Sequence, residues 1–156
     1  MGRWDEAYAY TLQVLSTKNR SLLYTGFTCW FEIEALLRVG EAEKAQTHLH
    51  DLVQQDSHNP RLRLACEHAQ AVWAAAEGQT VTAISHLETA VNLADEMGLP
   101  GEQWQILAKL SELYSDKVKQ QAAKNQAAEI VNRLAEQMGD EKLREGFTTA
   151  VTAHIL

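Results

Sequence analysis

The chain has 156 residues, of which 46% are hydrophobic and 22% charged, with two prolines and two cysteines. That length suits one domain spanning 1–156 with a core of its own, without disulfide staples. A formal charge of −7, from 14 basic and 21 acidic residues, repels a phosphate backbone and argues against nucleic acid as a partner. No apolar run approaches the roughly 18 residues that cross a bilayer, and the N-terminus lacks a signal-peptide core. The expectation is a cytoplasmic protein with no membrane partner. Val, Ile and Thr never gather into alternating runs, whereas Ala, Leu, Glu and Gln abound, so the elements are expected to be helices.

In chain order, the first helix is predicted over 3–17, with Trp4, Ala7, Tyr8, Leu12 and Leu15 at helical spacing. Lys18–Ser21 breaks it, and Ser21 caps a second helix over 22–39 that carries Phe27, Trp30, Phe31, Ile33 and Leu36. Gly40 ends that helix, and a third follows over 41–55 with Ala45, Leu49 and Leu52 on one stripe. Asp56–Pro60 is the clearest breaker, with Asn59 as N-cap and Pro60 at the first helical position. Helices over 61–77 and 79–97 come next, the first closed by Gly78 and the second by Gly98–Gly101. Further helices are expected over 102–115 and 117–138, then a last one that begins at Asp140, after Gly139. Lys117, Lys119 and Lys124 read as a solvated face. Cys29 and Cys66 read as buried small hydrophobes rather than a disulfide.

A frame repeats along this series. Gly2, Gly40 and Gly78 are 38 residues apart, and Ala7, Ala45 and Ala83 keep the same step. Such a step marks a repeat architecture, in which each unit buries its apolar face against its neighbours. With Ala71 seven residues before Gly78, and Leu49 and Leu87 past the turns, the pattern resembles the tetratricopeptide-repeat (TPR) family. A fourth unit fits with a slip of two residues, through Leu107, Leu110, Ala123 and Ala127. Longer units of this kind resemble the C-terminal sensor regions of bacterial signal-transduction ATPases and of the maltose-type transcription activator. The resemblance implies an all-α fold of antiparallel helix pairs, stacked as a right-handed solenoid of about three and a half repeats with a closing helix. Because the chain opens on half a unit, it also reads as a fragment of a longer protein.

Candidate chemistry is sparse. His48 and His50 point apart on a helix, and His48 with Asp51 offers two ligands where a metal site needs about four. These two read as an exposed polar pair. His86 and His154 stand alone, and Cys66 and His68 occupy different helix faces. No nucleophile lies beside an oriented base and no glycine-rich loop cradles phosphate, so no catalytic residue, metal or cofactor is assigned. The resemblance places a concave groove on the first helix of each pair, at Phe27, Trp30, Glu34, Arg38, His68, Val72, Gln105 and Glu112. The reading is a non-catalytic interaction or scaffold module that presents this groove to a peptide or partner domain, as the regulatory part of a signalling protein. One alternative is a sugar or metabolite sensor using Trp30, Glu34, His68 and Gln105. Another is a homodimerisation module that pairs through Trp4, Tyr8 and Leu12.

Overall fold

A computed structural model of the chain describes residues 6, 8–10, 13, 22–54 and 59–155, and their side chains except those of 22–29 and 152–155. The described residues are all-helical, without a strand among them. The bounded helices are α1 (Leu22–Arg38), α2 (Ala42–Gln54), α3 (Pro60–Ala76), α4 (Thr80–Glu96), α5 (Pro100–Leu113), α6 (Lys117–Glu136) and α7 (Glu141–Ile155). Glu6, Tyr8–Tyr10 and Gln13 are helical too. The predicted break at Lys18–Ser21, and Trp4, Leu12 and Leu15 before it, lie outside the described residues.

Local signals fix most helix ends. Gly40 and Gly78 take φ of +84° and +73°, a left-handed conformation that a side chain disfavours. Each closes the same paired arrangement: Gly78 N–H bonds Ala75 O at 3.1 Å and Gln79 N–H bonds Ala74 O at 2.8 Å, as Gly40 and Glu41 do to Leu37 and Leu36. Asn59 caps α3 through a 2.9 Å bond from Arg61 N–H, with Pro60 at the first position. Asp116 accepts from Val118 N–H at 2.8 Å at the start of α6, and Asp140 from Leu143 N–H at 3.0 Å at the start of α7.

Two ends differ from expectation. Pro100 and Gly101 open α5 instead of standing in the turn before it. The amide hydrogen that proline lacks would be unsatisfied in a first turn anyway, so Pro100 costs the helix nothing there. Gly139, expected to end α6, does not; the helix stops at Glu136 and tightens through Gln137 N–H to Leu134 O (3.2 Å) and Met138 N–H to Ala135 O (3.1 Å).

The chain divides into two compact units, residues 1–86 and 87–156. In the first, α1 packs along α3 and against α2, and α2 also touches α3. Its core joins Ile33, Leu36, Ala45, Leu52, Leu62, Ala65, Ala69 and Val72, with Tyr8, Trp30 and Trp73 packed at its edge. In the second, α6 packs on both α5 and α7. Leu87, Ala90, Ile106, Leu110, Ala127 and Val131 are among its buried side chains. Ala45 and Ala83, the alanines of the 38-residue frame, are both fully buried. No helix among the described residues is long and apolar enough to cross a membrane.

Candidate functional site

The first unit buries polar chemistry that the sequence reading left outside. His48 is 8% exposed and its Nε2 lies 2.6 Å from Glu32 Oε2, itself on a side chain of α1 only 4% exposed. The exposed pair expected of His48 and Asp51 is therefore corrected: a burial this deep requires a partner, and Glu32 supplies it. His86 is not alone either; its Nδ1 lies 2.8 Å from Glu67 Oε2, both side chains half-buried. His48 and His86 each stand eight residues past a turn glycine, Gly40 and Gly78. Glu32 and Glu67 stand eight and eleven residues before those glycines, one helical turn out of register. The two imidazoles accordingly present different ring nitrogens to their carboxylates.

Trp30 and His68 each stand ten residues before one of the same two glycines. They stack face to face across α1 and α3, with centroids 4.3 Å apart and planes 13° from parallel. His68 is 4% exposed and Val72 8%, so both belong to the packed interior of the first unit. Glu34 and Arg38 pair along one turn at 3.1 Å. Gln105 bonds its own helix at Gly101 O, 2.9 Å, and Glu112 pairs with Lys109 at 3.0 Å on the surface. The Phe27 side chain lies outside the described residues. The Cys66 thiol donates to Leu52 O at 3.6 Å, and the Cys29 side chain is outside the described set.

Of the expected self-association residues, Tyr8 alone is described. Its hydroxyl donates to Glu41 Oε1 at 3.0 Å and accepts from Lys44 Nζ at 3.4 Å. Lys44 and Tyr8 together hold the Glu41 carboxyl below its ordinary range, and the same contacts hold the Lys44 ammonium above its own. No three His, Cys, Asp or Glu side chains gather as a metal site among the described residues.

The concavity of interest lies in the second unit. A hollow of about 400 Å³ is lined by Glu88, Val91 and Asn92 of α4, Leu107 and Leu110 of α5, Tyr114, and Lys119, Ala122, Ala123 and Gln126 of α6. A neighbouring hollow of about 360 Å³ shares Val91, Asn92, Leu107 and Gln126 and adds Asp95, Gln103, Glu129, Ile130 and Arg133. The shared lining makes them one open groove. The order of contacts along it shows α4 and α6 running in the same direction as walls, with α5 antiparallel as the floor. Helical spacing puts Glu88, Val91, Asn92 and Asp95 on one stripe of α4, and Ala122, Gln126, Glu129 and Arg133 on one stripe of α6.

At one end Tyr114 donates its hydroxyl to Glu88 Oε1 at 2.8 Å while Lys119 Nζ sits 5.6 Å from the ring centroid. Burial, then the Glu88 carboxylate, push the Tyr114 phenol up to about 12. None of the eight residues expected to form a groove lines this one. The signal that could have found it is the pairing of exposed polar residues with small ones along α4 and α6. No family model, curated protein or solved structure matches the chain.

Proposed function

We propose that this chain is a non-catalytic interaction module of TPR-like stacked helix pairs, which seats a helical segment of a partner protein in the groove of its second unit. The continuous groove carries this reading. Two parallel helices flank an antiparallel one, leaving an apolar floor of Leu107 and Leu110 between polar rims. That is the form in which a helix laid in a groove is bound: apolar anchors go down and polar groups meet at the edges. Lys119 to Arg133 spans 15 residues of α6, 14 steps of 1.5 Å or about 21 Å, the length of a helix of about 15 residues. A compact metabolite would leave one face in water, whereas small-molecule sites usually enclose their ligand. The same-direction course of α4 and α6 also agrees with successive units of a solenoid. The surface proposed here lies on the second helices of the pairs, in place of the first-helix positions that the resemblance implied.

The test is a selection of displayed peptides of about 15 residues against the full chain. Each recovered peptide is then measured against Ala122→Trp, which fills the groove from an exposed wall position. Binding lost in this variant, with its melting temperature retained, is the expected result. Binders indifferent to Ala122→Trp would refute the proposal. So would a metabolite panel in which one compound raises the melting temperature by mass action and loses that effect in the variant.

A further inference from the structure

The two walls of the groove differ in charge. On α4 the groove meets Glu88 and Asp95 with Asn92 between them, and Thr80–Glu96 contains no Lys or Arg. Seven residues separate the carboxylates, about 10 Å along the helix. On α6 the signs are mixed: Lys119 and Arg133 stand with Glu129.

The α4 wall is also built against its own dipole. Its last turn holds Asp95 and Glu96 and no base, where the helix carbonyls already concentrate negative charge and a cation would be favoured. Neither groove carboxylate is neutralised by an ion pair among the described residues. Glu88 accepts from the Tyr114 hydroxyl at 2.8 Å and Asp95 from Gln103 Nε2 at 3.0 Å, both uncharged donors. Local choices that oppose a helix's stability are expected where a surface serves something other than folding.

Resting on the reading above, that the groove seats a helix, we infer that its occupant is a basic amphipathic helix of a partner protein. Its apolar side chains lie over Leu107 and Leu110, and two Lys or Arg one heptad apart meet Glu88 and Asp95. Opposite charge along a rim steers the partner in and fixes its register, and an acidic helix of the same apolar pattern is repelled.

The experiment uses the full chain and the peptides recovered by the selection, measured by fluorescence anisotropy at low and high salt. Glu88→Gln with Asp95→Asn removes both charges and keeps an acceptor oxygen for Tyr114 and for Gln103. The expected peptides carry two basic residues seven apart and bind the double variant about tenfold more weakly, since two rim pairs are lost. High salt should narrow that difference. Peptides that lose binding to Ala122→Trp but lack the basic pair, and bind the double variant unchanged, overturn the charge assignment and leave the groove reading intact. Peptides indifferent to Ala122→Trp overturn both. A concentration-dependent dimer of the chain itself, abolished by Ala122→Trp, overturns the inference by assigning the groove to a second copy.

Discussion

Glu32 and His48 expose the energetics of the first unit most directly. His48→Leu leaves a carboxylate that is 4% exposed without the imidazole 2.6 Å away. Removing the partner of a buried carboxylate costs about 3–5 kcal/mol, because the carboxylate then has no water to replace it. Glu32 retains another interaction, which sets the expectation at the low end, about 3 kcal/mol. Glu32→Leu should cost less, about 1–3 kcal/mol, the cost of a buried imidazole nitrogen left without its hydrogen-bond partner. The double variant Glu32→Leu/His48→Leu substitutes an apolar contact for the pair and should be milder than His48→Leu alone, since such replacements are often close to neutral. A coupling of at least about 1 kcal/mol follows. Urea unfolding of the four chains at pH 7, followed by far-UV circular dichroism and tryptophan fluorescence, measures it. Additivity within about 0.5 kcal/mol would refute the reasoning, since residues in contact should couple. The half-buried pair His86–Glu67 is the internal control, and its single variants should cost only about 1 kcal/mol.

Three other outcomes are expected. Tyr114 should ionise near pH 12, against an ordinary value of 10.0, as followed by phenolate absorbance, and Glu88→Gln should bring it down. A phenol raised in the folded state stabilises fully below pH 10, and that stabilisation is lost as pH climbs from about 10 to about 12, so the stability lost over that window should be smaller in Glu88→Gln. The Glu41 carboxyl is depressed by Lys44 and Tyr8, so its contribution is present above the ordinary carboxylate range and disappears as pH falls through the folded value. Tyr8→Phe should move its titration upward in carbon-detected NMR, and an unmoved curve would count against the Tyr8 contact. Gly78→Ala should destabilise by about 1–2 kcal/mol through its positive φ alone, because nothing lies within 4 Å of the added carbon. Gly139→Ala, equally uncrowded but outside the left-handed region, should stay within about 0.5 kcal/mol; equal melting shifts would contradict the assigned helix ends.

The sequence by itself determined the helices and most of their ends. Gly40 and Gly78 at the C-termini, Asn59–Pro60 and Asp116 at the N-termini, and a 3.6-residue apolar period all act within a few residues of where they stand. The reading failed locally at two residues, Pro100 and Gly139. Pro100 breaks one helix and begins the next, and Gly139 resembles a terminator although α6 has already closed through its own backbone. The 38-residue frame carried further than it was used: extended eight residues past each glycine, it would have set His48 beside His86 as equivalent positions.

What only the tertiary structure decided were the partners. Glu32 and His48 are 16 residues apart, and Glu67 and His86 are 19. Nothing in their local sequence distinguishes an exposed histidine from one held against a carboxylate. Trp30 and His68 meet because α1 and α3 pack together, which spacing along either helix cannot state. The groove likewise exists only when α4, α5 and α6 stand side by side. A helix's period says which side chains share a face, but the apolar face is buried by whichever neighbour arrives, and the polar rim left over is fixed by that packing.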